Sequence, residues 1–200
     1  MGDFEAASPE PANPTEVPLE SPVRQALRRV PSLVIVNTGD GKGKSSSAFG
    51  VMLRAVGRGW NVAVVQFLKS GEWKTGEEKI GRQLGVDWWA IGDGFTWDSK
   101  DLDESEAVAR EAWRASKAHI QAGAHELVIL DEITYPMNWG WIGIDDVVTT
   151  IAERPSKVNV ICTGRSAPQR LVDIADTVTE MAKVKHAFES GVAAKRGIEY

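Results

Sequence analysis

The feature that most constrains the fold is an apolar run that leads through a glycine-rich loop into an amphipathic helix. Residues 33–36 are continuously apolar, which is typical of a strand buried on both faces of a parallel sheet. Residues 45–58 carry apolar side chains on one face and end in glycines, which predicts a helix. The loop between them reads Thr38-Gly39-Asp40-Gly41-Lys42-Gly43-Lys44-Ser45-Ser46.

This loop nearly matches the Walker A pattern for phosphate binding. In that pattern glycines let backbone N–H groups surround phosphate, a lysine neutralises charge, and a hydroxyl binds Mg²⁺. Lys44 and Ser45 occupy the lysine and hydroxyl positions, while Thr38 stands where the general pattern has its first glycine. A glycine turn that only caps a helix is the alternative. Strand, glycines, lysine, hydroxyl and helix occur in the required order, so residues 38–46 are predicted to bind a nucleotide.

A pair of acidic residues at the end of a later apolar run supports this interpretation. The apolar run 127–130 ends in Asp131 and Glu132, and in P-loop proteins an acid at such a strand end holds Mg²⁺ opposite the loop hydroxyl. Alone the pair is weak evidence, because acids often simply terminate strands. Together with the loop it predicts Mg-ATP, or Mn-ATP, with Ser45, Glu132 and Asp131 as candidate metal residues. Glu132 could also position a water, which leaves an ATPase open.

The remaining pattern predicts an α/β domain with a mostly parallel sheet and helices on both faces. Further short apolar runs lie at 62–67, 86–91, 158–162 and 177–180, and a long helical pattern spans 102–122. Residues 1–22 hold five of the nine prolines and five acids, which is typical of a disordered tail. We therefore expect a tail over 1–22 and one domain over 23–200.

Charge and composition narrow the partners. The net charge of −5 comes from the tail, since residues 23–200 hold 23 acidic and 23 basic side chains. A balanced body offers no general attraction for nucleic acid, and no apolar run is long enough for a membrane span. Cys162 lies in an apolar run and is interpreted as core, and the three histidines lack metal-ligand spacing. A cytoplasmic protein without a targeting segment is the expectation.

Several ordered blocks resemble one family, the ATP:corrinoid adenosyltransferases of bacterial cobalamin synthesis and salvage. Besides the loop, they are the segments 67–77, 94–97, 130–135, 163–165 and 184–200, so the resemblance runs from about residue 24 to the C-terminus. It implies a RecA-like P-loop fold. It also implies transfer of the adenosyl group of ATP to the Co(I) centre of cobyrinic acid a,c-diamide or cobalamin, with release of triphosphate. Asp40 and Ser45 depart from the family's more usual Asn and Thr.

The resemblance implies that Co(I) itself is the nucleophile, so no side chain has to remove a proton. The P-loop would hold the departing triphosphate in an orientation reversed from that of P-loop hydrolases, with Lys44 stabilising its charge. Arg54 and Arg165 are further candidates for phosphate or ribose, against the alternative of surface pairing. Residues 24–29 correspond to an N-terminal helix that covers a site in the family's homodimers. Residues 184–200 either close over the corrinoid or nucleotide or simply dock, and the sequence does not distinguish the two.

Phe95 and Trp97 have two interpretations. From the residues alone, two alternating aromatics more often fill a hydrophobic edge. By resemblance, they occupy the lower face of the corrin and displace its axial ligand, which makes Co(II) easier to reduce because axial ligation tunes metal potentials. The resemblance further implies a reduced flavoprotein as electron donor.

Two alternatives remain compatible with the sequence. One is a P-loop ATPase or nucleotide-dependent switch that binds a protein or, through its tryptophans, single-stranded nucleic acid. The other is a corrinoid-binding chaperone that delivers an adenosylated cofactor. Reaction products distinguish the first from a transferase, while tight product retention with turnover that depends on an acceptor enzyme would favour the second.

Overall fold

The structure, a computed structural model, describes residues 28–70, 75–92 and 102–199. Contacts divide the chain into two units, 1–30 and 31–200, and the described strands and helices all belong to the second. The six strands in these ranges are β1 Val34–Thr38, β2 Val62–Ser70, β3 Asp87–Gly92, β4 Leu127–Asp131, β5 Asn159–Thr163 and β6 Thr177–Glu180. The six α-helices are α1 Lys44–Gly57, α2 Gly76–Gln83, α3 Leu102–Ala122, α4 Thr134–Asn138, α5 Ile144–Ala152 and α6 Gln169–Asp173, followed by a 3-10 helix at Ala187–Ser190.

All six strands form one parallel sheet in the order β3-β2-β4-β5-β1-β6. Strand β5 therefore separates β1, which precedes the glycine loop, from β4, which carries Asp131. Parallel strands place all their carboxyl ends at one edge, where ligands bind in α/β folds. The predicted parallel α/β fold is confirmed.

Apolar side chains form a core on each face of the sheet. On one face α1 packs through Phe49 and Met52 against alternate residues of the strands, including Ile129 and Ile161. On the other face α3 and α5 cover the remaining alternate residues, among them Cys162. Helices on both faces explain why the central strands read as continuous apolar runs rather than as alternating ones.

Two histidines in the described ranges pack beside strand β3. His119 of α3 stacks on Trp89 at a ring-centroid distance of 4.2 Å, and buried His125 contacts Asp87 through Nε2 at 2.9 Å. The described residues contain no group of three histidine, cysteine or acidic side chains arranged to hold a metal. None of the helices in the described ranges combines the length and apolar character needed to cross a bilayer.

Candidate functional site

The glycine loop forms a compact turn between β1 and α1. Gly39 and Gly43 have φ values of 93° and 111°, in the region that side-chain-bearing residues rarely adopt, so glycine is required at both positions. Lys44, the first residue of α1, folds back over the loop. Its ammonium group donates to the carbonyls of Gly39 at 2.7 Å and Gly41 at 2.6 Å. The lysine charge is thereby fixed at the centre of the turn.

The chain after β6 supports the loop from outside. Met181 donates its backbone N–H to the Thr38 carbonyl at 2.9 Å, and its own carbonyl accepts from the Gly41 N–H at 2.6 Å. A Cβ at Gly39 or Gly41 would lie 2.6 Å from the Met181 carbonyl oxygen. These two glycines therefore allow backbone to pack directly on backbone, and the 181–182 segment sets the outer wall of the loop.

Arg165 reaches the loop from the end of β5. Its guanidinium Nε lies 3.7 Å from a carboxylate oxygen of Asp40, and both side chains are more than half exposed. The Arg165 carbonyl accepts from the Thr134 hydroxyl at 2.7 Å. Gly164 has a φ of 140°, and a Cβ there would overlap the Thr134 hydroxyl. Helix α4 thus fixes the segment that carries Arg165 beside the phosphate loop.

The two predicted acids have different environments. Asp131 is fully buried, and its carboxylate accepts from the Thr163 hydroxyl at 2.7 Å and from the Gln66 amide at 2.9 Å. Glu132 comes next with a left-handed φ of 65°, and its backbone N–H donates to the Thr163 hydroxyl oxygen at 2.9 Å. Asp131 is therefore held inside the sheet by Thr163 and Gln66, while Glu132 is the acid at the strand end whose charge acts on the loop lysine.

Electrostatics link these groups into one site. Burial lowers the pKa of Lys44, and the nearby Arg165 charge lowers it further, whereas Glu132 and Asp40 raise it. Burial raises the pKa of Tyr135, and the charges of Arg165, Glu132 and Asp40 act on it too. Lys44, Arg165, Glu132 and Asp40 therefore lie within mutual electrostatic reach, with two cations available for a phosphate chain.

Other predicted residues lie further out or outside the described ranges. Arg54 is exposed in the last turn of α1, ten positions and roughly 15 Å along the axis from Lys44, so the structure does not bring it beside the loop. Its assignment stays a prediction. Ser45 and Ser46 lie in the first turn of α1. Phe95 and Trp97 fall outside the described residues.

The C-terminal segment contacts the glycine loop through one ion pair. Lys42 donates to the carboxylate of Glu199 in an ion pair. This contact brings the end of the chain to the phosphate-binding side of the sheet.

Sequence reasoning missed several residues that shape the site, above all Gln66, Thr163, Tyr135 and the Met181 backbone. Gln66 had a usable signal, since it is the polar residue inside the buried run 62–68. The Met181 contact is made by backbone atoms and leaves no mark on residue type.

Comparison with known proteins decides which reaction this site serves. The sequence profile of the family described as ATP:corrinoid adenosyltransferase BtuR/CobO/CobP matches residues 31–200. The chain belongs to this family. A corrinoid adenosyltransferase of Escherichia coli K12 is 42% identical over 168 residues, covering 84% of this chain and 85% of that protein. The corrinoid adenosyltransferase CobA of Salmonella typhimurium LT2 is 40% identical with the same coverage. A third, from Pseudomonas aeruginosa, is 42% identical over 84% of this chain and 83% of its own.

Membership in the corrinoid adenosyltransferase family makes the chain an ATP-dependent transferase that acts on corrinoids in cobalamin synthesis. ATP and the corrinoid are its two substrates. The alternative of a P-loop ATPase or switch is not favoured, since the family profile covers the whole unit that holds the sheet.

Proposed function

We propose that the glycine loop holds the triphosphate of ATP as a leaving group while Co(I) of the corrinoid attacks the 5′ carbon. The observation that carries this proposal is the placement of Lys44 at the centre of the loop with Arg165 beside it. Charge grows on the triphosphate oxygen as the carbon–oxygen bond breaks, and fixed cations stabilise that charge without reorganising. Binding both reactants in line supplies the remaining acceleration.

The groups assigned to phosphate are the loop amides and cations. We assign Thr38, Gly39, Asp40, Gly41, Lys42, Gly43, Lys44, Ser45 and Ser46 to the nucleotide, with Arg165 as an outer contact. Arg54 stays a sequence-based candidate for phosphate or ribose. Asp40 adds a negative charge near the phosphates, and Arg165 offsets it in part because the two side chains form an ion pair.

The donor set suits a magnesium or manganese ion. Ser45 offers a hydroxyl and Glu132 a carboxylate, both hard oxygen ligands of the kind that Mg²⁺ accepts together with phosphate oxygens. Asp131 supports Glu132 from the buried side, because the Thr163 hydroxyl bonds both the Asp131 carboxylate and the Glu132 backbone N–H. When bound, the ion would neutralise part of the triphosphate charge. Ser45 and Glu132 would then orient the nucleotide relative to the loop.

We further propose that Phe95 and Trp97 contact the lower face of the corrin and remove its axial ligand, with a reduced flavoprotein supplying the electron. The test is Trp97→Ala assayed from two starting states. With chemically prepared Co(I) the variant is expected to retain turnover, and with Co(II) plus reductant it is expected to lose most of it. Equal losses in both assays would assign Trp97 to general corrinoid binding instead.

Assembly and location follow the family expectation. We propose a cytoplasmic homodimer in which 24–29 help to cover a site, and a tail over 1–22 that takes no part in catalysis. Deleting residues 1–22 should leave turnover within a few-fold of the full chain. A collapse of activity would show that the tail belongs to the catalytic unit.

A further inference from the structure

A row of four buried polar side chains crosses the sheet near the carboxyl ends of its central strands. Gln66 of β2 is in register with Asp131 of β4, and Thr163 of β5 is in register with Asn37 of β1. Asp131 and Thr163 directly follow the last residues at which β4 and β5 pair with each other. The four residues are only 0–3% exposed. Residues in register point to the same face, so the row lies on the face covered by α1.

Hydrogen bonds join three of these side chains to Trp88 of β3 in one continuous chain. The Trp88 indole N–H donates to the Gln66 amide oxygen at 2.9 Å, and the Gln66 amide nitrogen donates to Asp131 at 2.9 Å. The Thr163 hydroxyl donates to the other Asp131 oxygen at 2.7 Å and accepts from the Glu132 N–H at 2.9 Å. This series of hydrogen bonds crosses four strands and ends on the backbone N–H of Glu132.

Gln66 sets the direction of this chain. An indole N–H can only donate, so it fixes the amide oxygen toward Trp88 and turns the amide NH₂ toward Asp131. Trp88 is itself held in place, because its ring packs on Phe49 at 5.1 Å and its carbonyl accepts from Arg82 at 2.6 Å. The packed Trp88 ring therefore fixes the orientation of the Gln66 amide, and the amide in turn orients the Asp131 carboxylate.

Stability alone does not account for this arrangement. The residue two positions earlier on the same face of β2 is Val64, fully buried in the same core, and an apolar residue at 66 would continue it. Buried polar chains require every member to be satisfied, since one missing partner leaves a costly buried group. The hydrogen bonds instead fix the conformation of Glu132. Glu132 adopts a left-handed φ of 65°, which a residue other than glycine keeps only when its surroundings hold it.

We propose that Gln66 is a positioning residue of the metal–nucleotide site, acting through Asp131 and Thr163 to hold Glu132 in the conformation that presents its carboxylate to the metal and triphosphate. This inference rests on the proposed assignment of Glu132 to the metal. Gln66 itself touches neither substrate.

The experiment measures Mn²⁺ binding to the full chain in the presence of ATP, from the EPR signal of free Mn²⁺, with no corrinoid present. Gln66→Met keeps an unbranched side chain of similar size and removes both hydrogen bonds. It is expected to weaken Mn²⁺ binding about tenfold, as loss of an outer partner of a metal ligand typically does. ATP binding measured without metal should change less than about twofold, because the loop cations are untouched.

Val64→Ala is the matched control, since it damages the same core on the same strand face without changing a polar contact. It should lower the melting temperature and leave Mn²⁺ affinity unchanged. Trp88→Phe removes the indole N–H together with one ring of a buried side chain, so the Val64→Ala control applies to it as well. It should weaken Mn²⁺ binding by about two- to fivefold, a smaller loss because Gln66 can still donate to Asp131. It carries the same test should Gln66→Met fail to fold.

Two results would overturn the proposal. Equal weakening of Mn²⁺ binding by Val64→Ala and by the polar variants would show a general effect of core damage, and unchanged Mn²⁺ binding in the polar variants would show no positioning role. Glu132→Gln separates this failure from that of the metal assignment. If it leaves Mn²⁺ binding intact, then Glu132 is not a metal residue and both proposals fall. If it weakens binding while Gln66→Met does not, only the positioning role falls.

Discussion

Replacing Gly41 by alanine tests how the phosphate loop is supported. The φ of Gly41 lies outside the left-handed region, so alanine meets no backbone strain there. Space is the difficulty: the new Cβ would lie 2.6 Å from the carbonyl oxygens of both Met181 and Ala182. Because these are backbone atoms, they cannot rotate away as a side chain can. The loop and the 181–182 segment must therefore separate.

The cost can be estimated from what the separation breaks. Overpacking of this kind costs about 1–3 kcal/mol, and losing the Gly41 to Met181 hydrogen bond adds about 1 kcal/mol. A total of about 2–4 kcal/mol lowers the melting temperature of a domain this size by roughly 4–16 °C. ATP affinity should fall as well, because the carbonyls of Gly39 and Gly41 that hold Lys44 move with the loop.

Gly50→Ala is the matched control for this prediction. Gly50 lies in the middle of α1, where a Cβ would meet nothing within 4 Å. Alanine favours helix over glycine by about 1 kcal/mol, so the melting temperature should rise by roughly 2–4 °C. Both variants are compared by thermal unfolding and by calorimetric titration with ATP. If Gly41→Ala melts at or above the wild-type temperature, the backbone contact with Met181 does not support the loop.

Three further predictions concern single side chains. Cys162 is fully buried, and burial raises its pKa to about 12. The native protein should therefore not react with a thiol reagent at about pH 8, whereas the denatured chain should react at once. Rapid labelling of the native protein would contradict this. Burial and the neighbouring His125 lower the pKa of His119 from 6.5, so folding stability should fall as pH drops below that value. The melting temperature should fall less steeply with pH in His119→Gln. Identical pH profiles would show that His119 does not cause the loss. Glu199→Gln releases Lys42 from its ion pair and should tighten ATP binding by about two- to fourfold at low salt. The effect should disappear at high salt. Weaker ATP binding would show that Glu199 contributes to nucleotide binding.

The structure around the glycine loop could be predicted from the sequence, because neighbouring residues indicate each of its elements. The apolar run 33–36 predicted β1, which spans Val34–Thr38, and the helical pattern over 45–58 predicted α1, which spans Lys44–Gly57. The helical pattern over 102–122 matches α3. The short helices α4 and α6, with five residues each, are too brief to show a helical period, so the sequence pattern did not indicate them.

The site was predictable as residue types and less so as geometry. Lys44 and Glu132 follow from the spacing of the motif and the strand end. Their relative placement depends on β5, which inserts between β1 and β4 and brings Thr163 to Asp131. Strand order depends on how crossovers pack, which no local pattern records. The wall at Met181 is likewise a long-range backbone contact.

The most direct test of the central claim is the fate of the phosphates when purified protein, Mg²⁺, ATP and chemically reduced cobalamin are mixed without oxygen. Phosphorus NMR should show intact triphosphate accumulating in equal amount with a light-sensitive adenosylcorrinoid, and none should form when the corrinoid is omitted. Production of orthophosphate or diphosphate at the same rate with and without corrinoid would contradict the account, because the loop would then be serving hydrolysis.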